Sequence, residues 1–241
     1  MPAMLRPAIL ALAVLLSAPA SPGCRDAPDM SPRNAPAADP PDGRTMPAAG
    51  VPRALAEERV RRVSDVRYEL HFTIPGVREE PVSGTATLRF RLADSSRPLA
   101  LDFAGPAQSV RAVRVQDTAI EPTVRDEHIL LPPASLREGE NEITLAFDSS
   151  DLALNRSPEF MYTLFVPARA RLAFPCFDQP DIKARYTLSL DVPKGWEAIA
   201  NGAETARHER AGRVSVAFAE TAPLPTYLAA FAAGRFSVES A

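Results

Sequence analysis

From Val66 onward the chain keeps returning to one pattern: an apolar residue at every second position, interrupted by a turn, then resumed. Val66, Tyr68, Leu70, Phe72 and Ile74 alternate with Arg67, Glu69, His71 and Thr73. A side-chain period of two belongs to an extended strand with one buried and one wetted face. The pattern recurs in Ala86, Leu88, Phe90 and Leu92, in Leu99, Leu101 and Phe103, and in Val113 and Val115. It recurs again in Ile143, Leu145 and Phe147, in Tyr186, Leu188, Leu190 and Val192, and in Val214, Val216 and Phe218. Turn residues separate these runs: Pro75-Gly76, Gly105-Pro106, Glu138-Gly139, Pro193-Lys194-Gly195, Asn201-Gly202 and Ala211-Gly212. Many short strands, each with one polar face, predict a mainly β fold of antiparallel sheets packed as a sandwich or saddle. Only Leu55–Val63 has helical character, with apolar residues at 55, 56, 60 and 63.

The amino-terminal fifth of the chain reads differently. Residues 1–24 have the form of a secretory signal: Arg6, then the apolar run Ala8–Leu16, then Ala18-Pro19-Ala20 as a cleavage site. The run is too short for a permanent transmembrane helix, which needs about 20 residues. Ser21-Pro22-Gly23-Cys24 supports a second reading as a lipoprotein signal, with Cys24 as the lipidated residue. Either way the chain is expected outside the cytoplasm, periplasmic or extracellular, with any membrane contact through that lipid. Residues 25–52 hold many Pro, Ala and Asp and no apolar period, so they are expected as a disordered linker. The folded domain is then 53–241.

Net charge is −3 and no basic stripe occurs, which argues against a nucleic-acid partner. The two cysteines, Cys24 and Cys176, sit in unlike contexts and suggest no disulfide framework. There is no His-Glu-x-x-His, no Gly-x-x-x-x-Gly-Lys, no Gly-x-Ser-x-Gly and no Gly-x-Gly-x-x-Gly. His71 falls on a polar strand face. The carboxylate pairs Glu57-Glu58, Glu79-Glu80 and Asp148/Asp151 read as solvated surface. The unusual stretch is 160–186, FMYTLFVPARARLAFPCFDQPDIKARY. Pro167, Pro175 and Pro180 exclude a regular central strand there, so it reads as two short strands around a rigid loop. Phe174, Cys176 and Phe177 are expected in the core, Cys176 as packing rather than a reactive thiol. Asp178 and Asp181 are expected to pair with Arg171, Lys183 or Arg185.

This loop resembles a hallmark of the aminopeptidase N family of zinc metallopeptidases: Phe174-Pro175-Cys176-Phe177-Asp178-Gln179-Pro180. The resemblance continues through Lys183-Ala184-Arg185-Tyr186, Val192-Pro193, Trp196, Asn201-Gly202 and the closing stretch 223–236. It begins at Val66-Arg67-Tyr68-Glu69-Leu70, and covers about Leu55 to the end. It implies a saddle-like N-terminal β-domain laid over a catalytic domain that binds zinc and peptide substrates. The family's His-Glu-x-x-His and Gly-x-Met-Glu-Asn are absent from these 241 residues, so no cofactor and no activity are expected of this chain alone. The resemblance also marks Thr163 and Leu164 as substrate-facing, on the strand where many members place a Gln or Glu that reaches the peptide's amino terminus. Leu164 cannot accept a hydrogen bond from an ammonium group. The hallmark loop itself is expected to be structural. An alternative reading is a stand-alone exported β-domain that binds a protein or peptide without catalysis.

Overall fold

A computed structural model describes residues 47–237 of the chain, which belong to one compact unit. The expected signal sequence, Cys24 and most of the expected linker lie outside the described residues. The last part of that linker, residues 47–52, runs as irregular chain into the helix α1 (Arg53–Arg62).

Fifteen strands follow: β1 (Val63–Thr73), β2 (Ser83–Leu92), β3 (Leu99–Asp102), β4 (Val110–Val115), β5 (Thr118–Ala119), β6 (Thr123–Arg125), β7 (His128–Leu131) and β8 (Gly139–Asp148). Then come β9 (Leu154–Arg156), β10 (Phe160–Thr163), β11 (Ala184–Pro193), β12 (Glu197–Ala200), β13 (Glu204–Arg210), β14 (Arg213–Phe218) and β15 (Phe231–Gly234). They form three sheets. The largest has eight strands in the order β13-β14-β11-β1-β2-β8-β4-β5; the others run β12-β15-β10-β9 and β3-β7-β6. The mainly β class holds.

The alternation places the core as expected. Tyr68, Leu70, Phe72, Leu88, Phe90, Phe147, Tyr186 and Leu190 are buried on one face of the large sheet. Their alternates Glu69, His71, Thr87, Thr187 and Ser189 line the other face. Rings interlock in the core: Phe72 meets Phe147, Phe174 and Phe231 edge-on or tilted, at centroid distances of 5.6, 6.3 and 4.8 Å. Offset and edge contacts of this kind suit the quadrupole of aromatic rings.

Two features depart from the sequence reading. The large sheet is mixed, because β1 and β11 pair in parallel, Tyr68 opposite Tyr186 and Phe72 opposite Leu190. Alternation reports a buried face and carries no information on strand direction. The helix also differs. It buries Arg59 and Arg62 while Val60 is exposed. Arg62 fans onto the carbonyls of Asp94, Arg97 and Pro98 and onto Glu58. Hydrogen bonding to fixed acceptors therefore outweighs the weak apolar stripe of this short helix.

Candidate functional site

Two places in the fold carry the residues singled out by sequence. One is buried, around the loop 174–180. The other is the outward face of the sheet β12-β15-β10-β9.

The loop enters the core through two backbone hydrogen bonds. Asp102 N–H donates to the Cys176 carbonyl (2.8 Å) and Cys176 N–H to the Asp102 carbonyl (3.1 Å). Phe174, Cys176 and Phe177 are fully buried. Pro175 and Pro180 cannot donate, Phe174 and Gln179 N–H donate to the Ala170 and Phe177 carbonyls, and the other two loop N–H groups find side-chain acceptors. Phe177 N–H donates to the Tyr68 hydroxyl oxygen (2.9 Å), and Asp178 N–H to Asp102 Oδ2 (2.8 Å). Gln179 Nε2 donates to the Ala56 carbonyl of α1 (3.2 Å).

Asp102 is the centre of this arrangement. Arg59 reaches it in a two-pronged contact, Nη1 to Oδ2 at 2.7 Å and Nη2 to Oδ1 at 2.6 Å, with both side chains wholly buried. Arg59 Nη2 also donates to the Ala100 carbonyl, and the guanidinium lies 5.5 Å from the Phe177 ring centroid. Such a fork matches the planar carboxylate and the aromatic face together. His128 Nδ1 stands 3.0 Å from Asp102 Oδ1, close but out of line for a directed hydrogen bond. Its Nε2 lies 3.1 Å from the Ala48 carbonyl. Burial pushes the Asp102 carboxyl up, but the Arg59 charge, the neighbouring His128 ring and the Asp178 N–H together hold it below the usual carboxylate value.

Asp178 behaves oppositely. Burial raises its carboxyl above the usual range, against the Thr226 hydroxyl (2.7 Å to Oδ1) and the Arg171 N–H (3.2 Å to Oδ2). Arg171 Nη1 stands 3.4 Å from Asp178, as expected from sequence, while Arg171 Nε pairs with Glu127. Asp181 is exposed and has no ion pair among the described residues; Arg185 stands near Glu220 instead. Burial, with the Asp178 and Asp102 charges next, lifts the Cys176 thiol well above its usual value. A thiol kept protonated in a closed core is no nucleophile.

The second place is open. Thr163 ends β10 with its side chain turned inward. Its hydroxyl accepts from Phe231 N–H (3.0 Å) and donates to the Phe231 carbonyl (3.3 Å). Leu164 follows on the opposite, outward side. There it joins Phe160, Tyr162 and Ile199, all four between 41% and 59% exposed. Register aligns them: Tyr162 lies opposite Ala232, which lies opposite Ile199. Phe160 and Tyr162 stack with centroids 6.4 Å apart. A small residue keeps this face flat, since a Cβ at Gly234 would stand 2.5 Å from Phe160 Cβ. The structure thus turns Thr163 and Leu164 to opposite sides of their strand.

Sequence reasoning missed the Arg59–Asp102–His128 cluster. Its signal was an aspartate closing an otherwise apolar strand, Leu99-Ala100-Leu101-Asp102, whose four side chains are all buried. It also missed the wet apolar face, signalled by apolar residues at both parities of 160–164.

The histidines do not fit a zinc site. His128 is buried, with Nε2 at the Ala48 carbonyl and Nδ1 against Asp102, and His71 and His208 lie on β1 and β13 with β11 and β14 between them. Among the described residues no group of three or more His, Cys, Asp or Glu gathers to hold a metal.

Residues 64–228 match the family model described as the peptidase M1 N-terminal domain. The chain is 40% identical over 114 residues to the probable M1 family aminopeptidase 1 of Encephalitozoon cuniculi, covering 44% of this chain and 13% of that protein. It is 27% identical over 169 residues to aminopeptidase N of Streptomyces lividans, covering 65% of this chain and 19% of that one. Among solved structures, a mutant M1 zinc metallopeptidase of Deinococcus radiodurans bound to a Tyr-Ser-Ala substrate is similar at 26% identity. The TM-score is 0.58, over 72% of this chain and 43% of that one. The chain therefore spans under a fifth of these two curated relatives and under half of that solved structure.

Proposed function

The chain belongs to the M1 peptidase family through that family's N-terminal domain, and on this footing we propose that it is the β-domain capping the catalytic cleft of a zinc aminopeptidase. The observation that carries the reading is the outward face of β12-β15-β10. Phe160, Tyr162, Leu164 and Ile199 form an apolar surface on one sheet of a domain that already owns a complete core. Contiguous exposed apolar surface of this kind marks a contact site. A catalytic domain seated there would be narrowed to peptide amino termini, and zinc chemistry would belong to that domain. Among the described residues no cluster suits the metal, so the isolated chain is expected to release no amino acid from aminoacyl-nitroanilides and to retain no stoichiometric zinc on purification.

In this reading Leu164 presents carbon where an acceptor would grip the substrate's ammonium. Leu164→Gln, introduced into a polypeptide carrying both domains, lowers KM for aminoacyl-nitroanilides about tenfold, the worth of one hydrogen bond to a charged group. Its Tm stays near the parent's because the site is exposed.

The decisive experiment places Tyr162→Asp and Ile199→Asp in such a two-domain polypeptide. Charges on the face are expected to abolish aminopeptidase activity and let limited proteolysis release the β-domain intact. Retained activity with the domains still associated would sink the reading. Export through residues 1–24, either by cleavage after Ala18-Pro19-Ala20 or with lipid attachment at Cys24, belongs to the same proposal. Mass spectrometry of the mature amino terminus tests it.

A further inference from the structure

On the wetted face of the large sheet, opposite the buried face that packs on the loop 174–180, three reactive groups meet across β1 and β11. His71 lies opposite Ser189, and Thr73 opposite Asp191. His71 Nδ1 stands 2.9 Å from Ser189 Oγ, and Nε2 stands 3.4 Å from Asp191 Oδ2. The imidazole is 35% exposed and the carboxylate 31%, so solvent and small molecules reach both. The acceptor carboxylate beside Nε2 favours the hydrogen on that nitrogen, which leaves the Nδ1 lone pair to receive the serine hydroxyl. Only the Ser189–His71 contact is of hydrogen-bond length, with the Asp191 carboxylate just beyond it, so hydroxyl, base and acid stand in the order that activates a hydroxyl. The neighbours leave room. Ala217 lies opposite Ser189 on β14, and Ala206 lies opposite Ala217 on β13, so the sheet beside the hydroxyl is floored by methyl groups.

We propose that Ser189 is an acyl-accepting hydroxyl, with His71 as its general base and Asp191 as a positioning residue, that captures small activated esters. The proposal is independent of the aminopeptidase reading. In the step, Oγ forms a bond to the acyl carbon while the bond from that carbon to the leaving oxygen breaks. The Oγ proton passes to His71 Nδ1 and from there to the departing alkoxide or phenolate. No oxidant or further reactant is needed. Backbone N–H groups around the serine are spent in the sheet ladder, so no preformed pocket awaits the oxyanion. Water solvates it instead. The site therefore captures an acyl group once and releases it slowly, rather than turning over as an esterase.

The test treats the full chain with 4-nitrophenyl acetate at neutral pH and follows each serine by peptide mass mapping. Ser83, on the same sheet and opposite Thr73 and Asp148, serves as the internal reference. Base assistance predicts acetylation of Ser189 about 10²-fold faster than Ser83. His71→Gln removes that excess and Asp191→Asn reduces it, with Tm unchanged in both. General loss of structure would move both serines together, so the ratio isolates the activation. Equal rates at Ser189 and Ser83, or an excess that survives His71→Gln, overturns the proposal.

Discussion

Replacing Arg59 by Met tests whether the buried Arg59–Asp102 pair organises the domain. The substitution keeps most of the side-chain volume and removes both prongs of the contact, at 2.7 and 2.6 Å. Asp102 keeps the Asp178 N–H at 2.8 Å and the nearby His128, but loses its only buried full charge of certain sign. Breaking one side of a buried pair costs about 3–5 kcal/mol, because the remaining ion stays dehydrated. For a domain of this size that lowers Tm by roughly 6–20 °C. Urea unfolding followed through Trp196, which is buried, reads the change directly. The loss also has a pH signature. In the parent, the Asp102 carboxyl lies below its usual value, so its stabilisation is present above the unfolded pKa and lost as pH falls through the folded one. In the variant, burial pushes that carboxyl up, and its ionised form destabilises as pH rises. The deficit is therefore largest near neutrality and shrinks in acid. Asp102→Asn combined with Arg59→Met costs less than the two singles summed, since neither ion is then stranded. A loss under about 1 kcal/mol, strict additivity, or a deficit that grows in acid refutes this account.

Three further outcomes follow from the same geometry. Asp178 is held above the usual carboxylate value mainly by burial, so its ionisation penalises the fold; stability falls as pH rises from the unfolded pKa to the raised folded one. Asp178→Asn removes that slope, visible as a difference between urea-unfolding curves collected across acid pH. Gly202→Ala drives a methyl into the Ala219 carbonyl oxygen, a backbone contact that cannot turn aside. It costs about 1–3 kcal/mol by calorimetry. Cys176 is fully buried with a raised thiol, so iodoacetamide modifies it only in denaturant, as peptide mapping would report.

How far the sequence could be read depended on the range of the interaction. The β1 alternation from Val66 to Ile74 is local, and it correctly sorted Tyr68, Leu70 and Phe72 from Arg67, Glu69 and His71. Burial of Phe174, Cys176 and Phe177 was legible for the same reason, since two prolines and two aromatics leave that loop little else to do. The parallel pairing of Tyr68 with Tyr186 joins residues far apart in the chain, and no turn signal encodes it. The helix misled because its apolar positions are few and its true partner, Asp102, lies on another sheet. The outward face of β10 escaped because Phe160, Met161 and Tyr162 are apolar on both sides of the strand. Only register decides that Met161 is buried and its neighbours are wet.

A chain of contacts runs from the buried cluster to the exposed face, through Thr226 and β15. Asp178 holds Thr226 at 2.7 Å, in the turn that leads into β15, while Phe231 at the start of β15 is gripped by the Thr163 hydroxyl of β10. Tyr68, which accepts from Phe177 N–H, stacks on Tyr186 at 5.0 Å and so ties the loop to β1 and β11. A shift of the loop would move Thr226, then the path of β15, then the alignment of Ala232 between Tyr162 and Ile199. Packed interiors have few intermediate arrangements, so such a displacement reaches the face as a step rather than fading away. Thr226→Val tests the link. It keeps the shape, removes the donor to Asp178, and costs about 1–3 kcal/mol by leaving a buried carboxylate short of one partner. If the connection holds, amide exchange in β15 accelerates along with exchange in the loop. Acceleration confined to residues 174–180 would show the two regions to be independent.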